Sequence, residues 1–123
     1  MKEEVTKEEG LKAERVQYRY SFLYGWVLVD ERGQGVFEGK EKPFIWTAYE
    51  LADHLEACEL VAQIGKIADR FCVAPELDVR RNYLFVTVGK EEGLTDADFD
   101  FAEALDDEVG PRQKANGLVA KIS

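Results

Sequence analysis

RFCVAPELDVRRNYLFVTV, residues 70–88, holds a proline-acid corner that runs into an alternating segment. Pro75 cannot continue a helix, and β-branched and aromatic residues alternate in NYLFVTV (82–88), which predicts a central strand. Upstream, TAYELADHLEACELVAQIGKIADRF (47–71) carries apolar residues at Leu51, Leu55, Cys58 and Ala62 and at Val61, Ile64, Ala68 and Phe71. That three- and four-residue spacing predicts one long amphipathic helix over 47–71, with Thr47 as its N-cap. Downstream, GKEEGL (89–94) turns the chain, and Thr95 with Asp96 and Asp98 places a capping hydroxyl and two carboxylates at a helix start. Phe99, Ala102 and Leu105 line the buried face of that helix, and Gly110-Pro111 ends it.

Toward the amino terminus the pattern is different. Tyr18, Tyr20, Phe22, Tyr24 and Trp26 recur every second residue, predicting a half-buried strand with a bulge or bend at Gly25. DERGQG (30–35) is a turn, followed by a strand from Val36 to Lys40 or onward to Trp46, with Pro43 at an edge or a strand start. The charge-dense residues 1–16 read as an arm, frayed or forming a short helix interrupted at Gly10. The expected organisation is therefore an arm (1–16), an α+β domain (17–109) with helices on one face of an antiparallel sheet, and a modestly basic tail (110–123) that adds an edge strand or stays mobile.

At 123 residues the chain suits one domain, and with 46% apolar and 33% charged residues it has the composition of a globular protein. The formal charge of −9 repels phosphate backbones and anionic lipid, so neither nucleic acid nor membrane is an expected partner. Two cysteines are too few for a disulfide framework, and the charged first residues do not resemble a signal peptide. No apolar run approaches the roughly 20 residues that span a bilayer, so the expected location is the cytoplasm.

Several motifs recur in an order that resembles the pterin-4a-carbinolamine dehydratase family. Gly25-Trp26 is similar to a Gly-Trp on the family's first strand, and Phe44, Trp46, Tyr49, Ala52 and Leu55 follow a family run into its long helix. PELDVRRN (75–82) is similar to the family's Pro-Glu-Ile-Asp-Val-Arg-Tyr-Asn, and Gly93-Leu94-Thr95 with Asp98 to its Gly-Leu-Thr-x-x-Asp. The likeness spans residues 25–106, with a longer helix region between Leu55 and Pro75 and a shorter turn before Gly93. It implies a four-stranded antiparallel sheet with helices on one face, and a protomer that dimerises or tetramerises.

Family enzymes eliminate water from a 4a-hydroxytetrahydropterin, using a His-His pair just before the proline and a third His at the end of the next strand. Hydroxide leaves only when protonated while a ring nitrogen loses its proton, work suited to imidazole near neutral pH. Here the pair is Val73 and Ala74, and the third position falls on Glu91 beside Lys90. Losing one positioned acid or base costs about 10²–10⁴ in rate. The resemblance thus implies a pocket of Trp26, Asp69, Cys72, Val73, Ala74, Pro75 and Glu76 without its proton-transfer groups.

The family also includes an animal member that doubles as a dimerisation cofactor for a homeodomain transcription factor, and histidine-poor relatives associated with Rubisco assembly. The expected role is accordingly a protein-binding or assembly factor, a homo-oligomer needing no cofactor. The alternatives are a weak dehydratase using Glu91 with Asp69 or Cys72, and a sensor that binds a flat, pterin-like ring without turnover. Glu91 is a substitute base or a solvated turn residue, and Trp26 a stacking platform or sheet core. His54 and Cys58, four apart, have metal-ligand spacing without a second motif, so a half-buried His and a core Cys suffice; Cys72 reads as a packed thiol. Glu76, Asp78, Arg80 and Arg81 form either a docking rim or local pairs on a wet edge. Tyr18, Tyr20, Phe22 and Tyr24 bury against another subunit or within the protomer.

Overall fold

The computed structural model describes residues 11–29, 43–90, 93–110 and 114–115. Along the chain it runs α1 (Ala13–Tyr20), β1 (Val27–Val29), β2 (Phe44–Glu50), α2 (His54–Phe71), β3 (Glu76–Arg80), β4 (Tyr83–Val88) and α3 (Asp96–Glu108). The strands form a four-stranded sheet in the order β1-β2-β4-β3 with every neighbouring pair antiparallel. The expected α+β architecture is the one observed.

Alternation sets the two faces of the sheet. Ile45, Thr47 and Tyr49 of β2 and Leu84, Val86 and Val88 of β4 are buried in a core shared with the helices, whereas Trp46, Tyr83 and Phe85 are half-buried on the other side. Onto the core face α2 brings Ala57, Leu60, Ile64, Ile67 and Ala68, and α3 brings Phe99, Phe101, Ala102 and Leu105. Burying rings such as Phe99 and Phe101 contributes roughly 2–3 kcal/mol each. β3 is the opposite edge strand: Glu76, Asp78 and Arg80 are exposed, and Asp78 pairs with Arg80 at 2.8 Å, a local pair on a wet edge.

Two expected elements are corrected. The aromatic run from Tyr18 to Trp26 is not a strand; α1 occupies Ala13–Tyr20, running through residues 16 and 17 where arm and domain were divided, and only Val27–Val29 is extended. Val16 and Arg19 face inward on α1, and Tyr18 and Phe22, one turn apart, face outward. The helix over 47–71 begins only at His54. Residues 44–50 pair with both β1 and β4, and the Asp53 carboxylate accepts from the Glu56 N–H at 2.9 Å as the real N-cap. Its buried face is also rotated from the one expected, leaving Leu55 65% exposed and Cys58 and Ala62 in solvent. The strand expected from Val36 lies, up to residue 42, outside the described residues.

At the amino end of α3 the expected cap is present in full: Thr95 Oγ1 accepts from the Asp98 N–H, and the Asp98 carboxylate accepts from the Thr95 N–H at 3.0 Å. At the far end of the fold, Lys114 bridges antiparallel to Tyr49 and the Ala115 N–H donates to the Ala48 carbonyl at 2.8 Å.

Candidate functional site

A cleft of about 600 Å³ opens where α2 ends, β4 ends and α3 begins. Its first wall follows from how α2 terminates. Cys72 adopts the left-handed conformation (φ 57°), and the Val73 N–H reaches back to the Ala68 carbonyl at 3.1 Å, closing the helix with a Schellman-type turn. That turn tucks Val73 against the core and leads Ala74 and Pro75 into β3. Cys72, Val73, Ala74 and Glu76 therefore form one side of the cleft.

Thr87 to Lys90 supply the floor, and Gly93, Thr95, Ala97 and Asp98 the remaining side. Gly89 has a steric reason to be glycine. It takes φ +88°, and a Cβ there would stand 2.5 Å from Leu94 Cδ2 and 3.4 Å from the Leu94 Cα. Among the described lining residues, Glu76, Lys90 and Cys72 can exchange a proton and are exposed, and the Asp98 carboxylate is engaged in its own helix cap. Lys90 Nζ sits 5.6 Å above the Phe44 ring.

Residues 9–108 match the pterin 4 alpha carbinolamine dehydratase family. The chain belongs to that family. A transcriptional coactivator/pterin dehydratase from Brucella melitensis has a similar solved structure, with TM-score 0.62 and 23% identity over 80% of this chain and 96% of that one. At that identity the likeness bears on the fold. No curated protein matches the sequence.

Within this pterin dehydratase fold, the sequence-named residues separate into two groups. Cys72, Val73, Ala74 and Glu76 meet in the cleft with half-buried Pro75 between them, while Asp69 and Trp26 are not among its lining residues. Glu91 lies outside the described residues. Cys72 and Cys58 are exposed rather than packed, because both fall off the buried face of α2. His54 is exposed at the other end of β3, its Nδ1–H donating to the Arg81 carbonyl at 2.7 Å. From Glu76 to Arg81 is five residues, about 17 Å of extended chain, so this imidazole does not reach the cleft. Among the described residues no group of three or more His, Cys, Asp and Glu converges as a metal site.

Trp26 belongs to a second polar centre that the sequence did not disclose. Its indole N–H donates to Asp106 Oδ1 at 2.9 Å, and the Tyr24 N–H donates to Oδ2 at 2.9 Å. Lys114, with a fully buried side chain, reaches the same carboxylate at 3.1 Å and Thr47 Oγ1 at 2.9 Å. Its ammonium lies 4.7 Å from the Trp26 ring centroid and 5.0 Å from that of Tyr49. Lys114, expected in the tail, and the four residues it meets, Trp26, Thr47, Tyr49 and Asp106, are scattered over 26–114, so no local signal joins them.

Burial pulls the Lys114 amine down to about 8, against the opposing influence of Asp106. Between pH 8 and the ordinary 10.5 the unfolded chain then binds a proton that the folded chain does not, so stability is expected to rise with pH across this window. Burial also raises the Tyr49 and Tyr20 phenols above 10.0, which makes stability fall with pH beyond that value. Urea unfolding at pH 8, 9 and 10 therefore isolates the lysine. Stability should climb in the wild type, and the climb should vanish in Lys114→Met; an equal slope in both would refute the assignment.

Proposed function

We propose that this chain is a non-catalytic or nearly inactive pterin dehydratase-like protein that serves as a protein-binding or assembly factor. The observation that carries this reading is the α2–β3 corner, where Val73 and Ala74 wall the cleft at the positions for which the family resemblance implies a histidine pair. Neither side chain can give or take a proton, and the one imidazole of the chain is anchored at the opposite end of β3. We further propose a homo-oligomer, dimer or tetramer, without a cofactor and acting in the cytoplasm, where two free, exposed thiols are compatible with reducing conditions.

A second reading draws on the charged groups that the cleft does keep, Glu76 and Lys90. In it the chain is an altered dehydratase that uses Glu91, or it holds a pterin-like ring without turning it over. The test is carbinolamine dehydration by wild type, Glu91→Gln and Glu76→Gln, with pterin-dependent thermal shifts alongside. Equal rates in all three, at the uncatalysed level, support the non-catalytic reading. A wild-type rate that either substitution lowers would replace it with the altered enzyme, and a pterin-dependent rise in melting temperature without turnover would favour the sensor.

A further inference from the structure

Three of the four large hydrophobic side chains that are exposed among the described residues fall within residues 18–24: Tyr18 (57%), Phe22 (60%) and Tyr24 (49%). Tyr18 and Phe22 stand edge to face, their centroids 5.1 Å apart. They form the apolar side of a groove of about 630 Å³ whose other side is α3, through Asp100, Glu103, Asp106 and Asp107. Neighbouring exposed aromatic side chains rimmed by charge are a pattern that contact sites share.

The charges define what fits. Arg19 is buried and engaged with Asp96, Asp100 and Glu103 at 2.8–3.2 Å, and Arg15 with Asp96 at 3.0 Å. Asp106 is engaged with Lys114. Four carboxylates, Asp96, Asp100, Glu103 and Asp107, thus stand against two guanidiniums, on a chain whose formal charge is −9. A second copy of this chain, or an anionic lipid surface, would bring more negative charge to an already negative wall.

We infer that the α1–α3 groove docks a basic amphipathic segment of a partner protein, with its apolar side chains on Tyr18 and Phe22 and its Lys or Arg side chains along α3. This rests on the protein-binding reading above and supplies the place and the chemistry of the contact. The surface is separate from the dehydratase-like cleft.

The full chain is titrated into a fluorescein-labelled synthetic helix of about 18 residues, leucines on one face and lysines on the other, and into its glutamate counterpart. The lysine peptide should bind with a micromolar Kd that weakens as salt rises from about 50 to 300 mM, and the glutamate peptide should not bind. Tyr18→Ser with Phe22→Ser should weaken binding at least tenfold, whereas Leu55→Ser, which alters an exposed apolar side chain outside the groove, should not. Because both aromatic residues are more than half exposed, melting curves are expected to show the double variant folded.

No binding of the lysine peptide, or equal binding by the double variant, would overturn the inference. So would sedimentation showing that the double substitution dissociates a homo-oligomer, since that would seat a second copy in the groove. None of these outcomes touches the non-catalytic reading, which fails only on dehydratase turnover.

Discussion

Replacement of Asp106 by alanine is expected to lower the unfolding free energy by about 3–5 kcal/mol, because it removes the counter-ion of buried Lys114 and the acceptor shared by the Trp26 and Tyr24 N–H groups. The Lys114 side chain has no exposure to water, and the two aromatic faces beside it cannot substitute for a carboxylate that also accepts from Trp26 and Tyr24. Removing the charge on both sides should behave differently. Asp106→Asn with Lys114→Met keeps an acceptor for the indole N–H and puts an apolar chain of similar length in the box, so it should fall within about 1 kcal/mol of wild type. Denaturant unfolding followed by tryptophan fluorescence distinguishes the two, and a loss below about 1 kcal/mol in Asp106→Ala would show that Lys114 is not held as described.

Arg19→Ala should cost about 2 kcal/mol, the second largest effect expected. The guanidinium donates to Asp96, Asp100 and Glu103 and lies 5.5 Å above the Phe99 ring, fastening α1 along α3. Burial lowers its pKa, but the hydrogen bonds it donates to Asp100, Asp96 and Glu103 outweigh that and leave it raised. The three carboxylates are themselves about half exposed, and this screening keeps the figure well below that of a fully buried network. Without the arginine they repel one another. Amide exchange across Ala13–Tyr20 should accelerate with the loss of stability, and Arg19→Lys should recover only part of it, since one ammonium cannot fork to three acceptors. Unchanged exchange in α1 would mean that the Leu11 N–H bond to the Leu94 carbonyl and the packing of Val16 hold the helix by themselves.

How legible the fold was depended on how far apart the deciding partners lie. The α3 cap could be read because Thr95 and Asp98 satisfy one another within three residues. The central strand could be read because Leu84, Val86 and Val88 bury one face whatever pairs beside them. The sequence of α1 supports two readings, because Tyr18, Tyr20 and Phe22 fit a two-residue repeat, while Val16, Arg19 and Tyr20 fit a helical one. The choice was made by Asp96, Asp100 and Glu103, some eighty residues away. The start of α2 is ambiguous in the sequence because residues 47–50 continue the apolar spacing of the helix, and only pairing with β4 assigns them to β2.

The cleft shows the same division. Cys72, Val73, Ala74 and Glu76 come to the cleft from one contiguous stretch, whereas Thr87, Gly89 and Ala97 join them only through the ends of β4 and α3. Gly89 gave the one available hint, as a glycine directly after a strand. Trp26 and Asp69 were grouped with the cleft by family likeness, and the fold places Trp26 in the Lys114 box instead.

The most direct test of a pterin dehydratase fold working without its proton-transfer groups is the initial rate of carbinolamine dehydration by the purified full chain, measured against buffer near neutral pH as protein concentration is raised. A rate indistinguishable from buffer is expected. A rate that climbs in proportion to protein and exceeds the background by about 10²-fold or more would mean that groups other than imidazole carry the proton transfers in this cleft, and would contradict the non-catalytic reading.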